Sequence, residues 1–142
     1  MLRDRITILV VSPREKDHRS FEAIVRRSTW GLHTASTIAE ALRLLKTTAV
    51  SVILCERDLP DGNWKDLLCA VTESKVPPRL IVMSADADER LWFEVLNLGG
   101  FDVLPTPVQA SELFRVASLA DRSWRDHVRS ASESSLVATT SV

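Results

Sequence analysis

Val50-Ser51-Val52-Ile53-Leu54-Cys55-Glu56-Arg57-Asp58-Leu59-Pro60-Asp61-Gly62 decides how the rest of this chain is read. Val52 to Leu54 run apolar with no polar alternation, and the run is closed by turn residues. A strand covered on both faces, the kind found in parallel sheets, has this composition. The run ends in an acidic residue, Glu56, followed by the turn Leu59-Pro60-Asp61-Gly62. In open α/β sheets, chemistry sits just beyond the carboxyl ends of such strands. Glu56 is therefore the first candidate functional residue.

Four other apolar runs stand around this one. Ile6 to Val11 is the first strand and His33 to Ala35 a brief second one; Arg79 to Met83 and Phe101 to Leu104 follow the central run as fourth and fifth strands. Between them lie segments with apolar residues at helical spacing. Phe21, Ile24 and Val25 mark the first helix, Ala41, Leu42, Leu44 and Leu45 the second, and Trp64, Leu67, Leu68 and Val71 the third. Leu91, Trp92, Val95 and Leu96 mark the fourth, and Leu113, Val116, Ala117 and Ala120 the fifth. Thr37 with Glu40 has capping-box spacing, Asn63 is placed to cap the third helix, and Gly99-Gly100 is a stop signal for the fourth. Strands alternating with helices over short connections predict a doubly wound α/β fold: a five-stranded parallel sheet, order 2-1-3-4-5, flavodoxin-like, with five helices. Residues 1–129 are expected to form this domain. Residues 130–142, rich in Ser, Thr and Ala, are expected to be a disordered polar tail.

Composition limits the function classes. The chain has 142 residues, 45% of them hydrophobic, which suits one domain with one core. A formal net charge of −1 provides no global field for nucleic acid or an anionic membrane. No apolar run approaches the roughly 20 residues of a membrane-spanning helix, and the opening residues do not form a signal-peptide core. Cys55 and Cys69 lack metal-site spacing, and Cys55 falls in an apolar strand as a small hydrophobe would. A cytoplasmic protein without metal or cofactor is expected.

Taken in order, these segments resemble the receiver domain of two-component response regulators, over about Ile6 to Asp121. Ile8 to Val11 resembles the family's first strand, Gly31 through Leu42 its second strand and second-helix entry, and Leu59 to Gly62 the turn after the phosphoacceptor strand. Ile81 to Ala85 resembles the fourth strand with its switch hydroxyl, and Gly99 to Asp102 the approach to the fifth. The resemblance implies a phosphoacceptor aspartate four residues before the turn proline; that position holds Glu56. It implies two acidic Mg²⁺ ligands directly after the first strand, where Ser12 and Pro13 stand. It implies a lysine before the proline that follows the fifth strand, where Thr106 stands, and an aromatic switch residue where Val103 stands. Of that set only the hydroxyl, Ser84, is kept.

These departures define a degenerate, or pseudo-receiver, site. Mg²⁺ requires hard oxygen ligands, carboxylates above all, and phosphoryl transfer depends on positioned positive charge. The expectation is a signalling module without catalytic activity, acting by protein–protein contact and independent of phosphorylation. Glu56 has two readings. It is a phospho-mimic, a fixed negative charge that Ser84 could hydrogen-bond, or a passive remnant paired locally with Arg14 or Arg57. The alternative function is a working phosphoacceptor that a histidine kinase phosphorylates, on Glu56 or Asp58. A flavin-binding relative is disfavoured, because Ser12-Pro13-Arg14-Glu15-Lys16 is not a Ser-, Thr- and Gly-rich phosphate loop.

Receivers of this family commonly meet partners through the fourth helix, fifth strand and fifth helix. The matching candidates are Trp92, Val103, Phe114 and Trp124, with Val128 beside them, in a homodimer or with another protein. Asp58 and Asp61 are read as turn residues. Arg115, Arg122, Arg125 and Arg129 form a basic stripe on the fifth helix, read as partners for Asp121 and Asp126. Nucleic acid is not expected as a ligand.

Overall fold

The computed structural model describes residues 5–140, with side chains to residue 133. β1 (Thr7–Val11), β2 (Gly31–Ala35) and β3 (Val52–Glu56) alternate with α1 (Glu15–Val25) and α2 (Ile38–Leu45). A two-residue hairpin, β4 (Asp58–Leu59) against β5 (Gly62–Asn63), leads into α3 (Trp64–Val71). β6 (Arg79–Ser84), α4 (Glu89–Asn97), β7 (Asp102–Pro105) and α5 (Ala110–Thr140) complete the chain. The main sheet is wholly parallel, in the order β2-β1-β3-β6-β7. Setting the hairpin aside, this is the expected 2-1-3-4-5 order.

The double burial of the strands follows from their two-residue period. Ile8, Val10, Val52, Leu54, Ile81 and Met83 face one side, where Phe21, Val25, Leu113, Val116, Ala117 and Ala120 from α1 and α5 cover them. Leu9, Val11, Ile53, Cys55, Leu80 and Val82 face the other, beneath α2, α3 and α4. Burial on both faces is why β1, β3 and β6 carry almost no polar residue. It also pushes the Cys55 thiol pKa well up and keeps the group neutral.

The Leu59–Gly62 turn is a structural junction. The Asp61 carboxylate accepts the backbone N–H groups of Ile38 (2.9 Å) and Ala39 (3.1 Å), so it caps α2 from another part of the chain. Those contacts hold its pKa below the usual carboxylate value. Thr37 caps the same helix by accepting from the Glu40 N–H. Asn63 and Asp66 form a reciprocal capping box on α3. Gly62 is required between them: at φ +152° it favours glycine, and a Cβ would lie 2.5 Å from Asp66 Oδ2.

Two expectations meet a different local structure here. α5 runs on past the expected boundary at residue 129, through the stretch expected to be a disordered tail, to Thr140; residues 141 and 142 lie outside the described residues. The stretch 130–140 contains neither Pro nor Gly. Adding a residue to an existing helix avoids the cost of nucleation, so Ala, Ser, Glu and Leu extend it even with little to bury. Trp124, expected on the α4–β7–α5 side, instead sits at the amino ends of the strands, where its Nε1–H donates to the Val76 carbonyl (3.4 Å).

That end of the sheet carries a polar clamp. Ser51 Oγ donates to buried Asp121 (2.6 Å), and Asp121 pairs with Arg125 (2.6 Å). Arg79 donates to Ser123 Oγ and to the Ser123 and Pro77 carbonyls. Together they fix the middle of α5 across β3 and β6. Asp121→Ala should strand the Ser51 hydroxyl and release Arg125, lowering stability by about 2–3 kcal/mol. The midpoint of a urea unfolding curve measures it, and Asp126→Ala, on the same helix, should change little.

Candidate functional site

At the carboxyl ends of β1, β3 and β7 lies a cleft of about 370 Å³. Arg14, Lys16, Asp17 and Phe21 line it from the α1 side, Glu56 and Ala85 form its floor, and Thr106, Pro107 and Val108 close it. A larger depression, about 500 Å³, lies beside Arg5, Glu22, Arg26 and Trp30. It sits at the opposite end of the strands and contains none of the predicted site residues.

Glu56 ends β3, and its side chain is only 12% exposed. Its Oε2 is closed off from solvent and lies 2.9 Å from Arg14 Nη2. The contact is a close ion pair. The same guanidinium also reaches Asp17, with Arg14 Nε 3.2 Å from Asp17 Oδ2. Buried Ser12 completes the group: its hydroxyl donates to Asp17 Oδ2 (2.7 Å) and accepts the Arg14 backbone N–H (3.2 Å). His18 Nε2 donates to the Ser12 carbonyl at 2.8 Å. Arg57, the other partner considered for Glu56, pairs with Asp58 instead (3.3 Å).

The structure thus brings together Ser12, Glu56 and Thr106 of the predicted site, with Ser84 adjacent. Pro13 is exposed on the loop and offers no side-chain donor or acceptor. Ser84 is buried, and its Oγ accepts the Asp86 backbone N–H (3.1 Å). Among the described residues no hydrogen bond joins Ser84 to Glu56, so the link drawn for a phospho-mimic is absent. Thr106 lines the cleft and provides no charge. Arg14 was foreseen as one of two partners, whereas Asp17 was missed. Its only signal was position, at the first turn of a helix that begins beside the site.

The four contact candidates do not form one patch. Trp92 lies on α4, 41% exposed, edge-to-face with Phe93. Val103 is partly buried against the α2–α3–α4 core. Phe114 stacks edge-to-face on Trp30, 4.8 Å between centroids, on the α1 side. With Leu113 against the sheet, the next helical residue points sideways, which carries Phe114 towards Trp30. Trp124 lies about 15 Å farther along α5, at the clamp. The large exposed apolar residues are instead Trp92, Phe93 (56%) and Leu96 (37%) on α4, Leu98 (52%) just after it, and Leu119 (46%) on α5. Phe93 lacked notice, and Leu96 was read as part of the helix's apolar stripe, because apolar residues crowded along one helix hide which of them face outward.

The family assignment follows from sequence and fold together. Residues 8–118 match the model of the response regulator receiver domain, and the chain belongs to that family, the receiving module of two-component signalling. It is 28% identical over 116 residues to the transcriptional regulatory protein CutR of Streptomyces coelicolor, and equally to that of Streptomyces lividans. The match covers 81% of this chain and 54% of each relative, so the chain spans about half the length of the relatives it matches. In fold it is similar to the receiver domain of an HD domain-containing protein from Pseudomonas fluorescens (TM-score 0.77, 23% identity, 86% of this chain and 98% of that one). A receiver domain protein from Clostridium thermocellum is similar as well (TM-score 0.76, 19% identity, 84% and 97%). No helix among the described residues is long and apolar enough to cross a membrane.

Burial pushes the Glu56 carboxyl pKa above its ordinary value of 4.5, and Arg14 pulls it only part of the way back. A raised carboxyl pKa means that ionised Glu56 costs the fold stability, a cost absent below pH 4.5 and complete once the pH has passed the folded-state pKa. Glu56→Gln should therefore melt with wild type near pH 4 and above it at pH 7. Paired thermal melts across that range check the sign; a wild type more stable than the variant at pH 7 would contradict it.

Proposed function

We propose that this chain is an atypical receiver: a cytoplasmic module that signals by contact with other proteins, without taking up phosphate and without enzymatic activity. The observation that carries the reading is the ion pair holding Glu56 at the phosphoacceptor position against Arg14. An acceptor carboxylate must meet the phosphoryl group in line, and here the carboxylate is already paired with a guanidinium 2.9 Å away. The remaining residues agree. Ser12 and Pro13 supply no carboxylate to a metal shell, and Thr106 supplies no cation to the transferred group.

Glu56 fits the passive reading better than the phospho-mimic one. A mimic acts by presenting unbalanced negative charge to the switch hydroxyl. Here the charge is balanced by Arg14, and Ser84 is engaged by the Asp86 N–H. Receiver switching also uses an aromatic side chain where this chain has Val103. The module is read as holding a single state.

The contact surface is read as the exposed apolar row of α4, Trp92, Phe93 and Leu96, extended by Leu119 of α5. Aromatic anchors on an otherwise charged surface are the usual centre of a protein interface. A homodimer through α4, β7 and α5, or a protein partner in the same pathway, would cover it.

Intact mass after incubation with acetyl phosphate and Mg²⁺ is expected to stay unchanged; a gain of one phosphoryl group would overturn the reading. Replacing both Trp92 and Phe93 by Ala should weaken self-association or partner binding by about tenfold or more, because both side chains are exposed and central to the row. Sedimentation velocity or calorimetry measures that change. Glu56→Ala should leave association as it is, and a shifted dimer constant would restore the phospho-mimic.

A further inference from the structure

Family receivers balance the acceptor-position carboxylate with a divalent ion, and the residues present here do not fit one. Such an ion needs several hard oxygens disposed around it. Pro13 offers none, and the Ser12 hydroxyl is a neutral group that already donates to Asp17. The two carboxylates within reach, Asp17 and Glu56, are both committed to the same guanidinium. Glu56 Oε2 is closed to solvent and meets only that group.

We infer that Arg14 is the site's built-in cation: one guanidinium, supplied by the chain, bridges Glu56 to Asp17 and makes the site indifferent to divalent ions. The inference rests on the reading of a site that takes no phosphate, and it assigns the source of the counter-charge. Three features of the geometry point to it. The guanidinium is a rigid fork, and its Nε and Nη2 nitrogens meet two different carboxylates, which an ammonium's single point charge would not span as well. Its backbone is fixed at the entry to α1, where the Arg14 N–H donates to Ser12 Oγ. The pair also differs from an ordinary surface ion pair, because one member is 12% exposed while the other is 51% exposed. Removing the cation would leave a buried carboxylate unbalanced; removing the carboxylate would leave an arginine that water already solvates.

That asymmetry makes a double-mutant cycle the discriminating experiment. The melting temperature is read for wild type, Arg14→Ala, Glu56→Gln and the double variant at pH 7. The expected result is a clear loss for Arg14→Ala in the wild-type background and a much smaller loss in the Glu56→Gln background. Equal losses in both backgrounds would mean that Arg14 acts only through Asp17 or the loop, and would overturn the inference. Arg14→Lys should retain part of the loss.

The second arm uses wild type alone, melted with and without Mg²⁺ or Mn²⁺ at matched ionic strength. No shift is expected. A site with a millimolar dissociation constant would raise the melting temperature by about 4 °C at about 10 mM ion, and such a rise would overturn the inference. Phosphate uptake is read separately by mass. A divalent-ion response without a mass gain defeats this inference alone. A mass gain with no ion-dependent stabilisation defeats the reading of function and leaves Arg14 as the cation.

Discussion

A carboxylate at the end of a strand buried on both faces has to be balanced, and the geometry of this site follows from how that is done. β3 carries Glu56 to the rim of the sheet, where burial makes ionisation costly. The family's solution is a metal ion held by acidic residues after β1. This chain has Ser12 and Pro13 there, and the balancing charge comes from Arg14, one residue farther on. Ser12 then serves as a spacer: it receives the Arg14 N–H and orients Asp17, so the loop that would hold a metal holds an arginine.

The fold was legible because its signals are periodic and redundant. Each central strand is apolar on both faces, each helix carries a stripe, and Thr37, Asn63 and Gly99 mark ends that the structure confirms. Losing one signal would not change the topology. The end of α5 was not legible, since helix continuation depends on what precedes a segment as well as on its own composition. Ser and Thr argue for disorder in isolation, but the same residues continue a helix already nucleated and clamped through Asp121, Ser123 and Arg125.

Single side chains are harder to place. Glu56, Ser12, Pro13 and Thr106 could be placed from sequence because they sit at the ends of strands and in the turns that follow them. Arg14 and Arg57 flank Glu56 with equal claims in sequence, and only the loop's path decides between them. Arg57 follows Glu56 along an extended backbone, so its side chain points to the opposite side and meets Asp58. Arg14 approaches from the neighbouring loop and can reach across. Phe114 and Trp124 show the same limitation: both lie on α5, but helical rotation and rise separate them, to α1 on one side and to the amino ends of the strands on the other.

The features retained from the family and those lost divide along a physical line. What is retained serves folding. Asp61 and Gly62 join the central strand to two helices, Gly99 ends α4, and Ser84 is occupied by the backbone of its own loop. On the proposed reading, what is lost served charge transfer: the acidic pair, the lysine and the aromatic that reports the switch. Random decay of a site would leave a buried glutamate without a partner, a costly arrangement that folding stability would penalise. The Arg14–Glu56–Asp17–Ser12 group is instead connected from end to end. A guanidinium bridging Glu56 and Asp17 is compatible with the proposed reading, in which the module's information lies in its surface and not in a phosphorylation cycle.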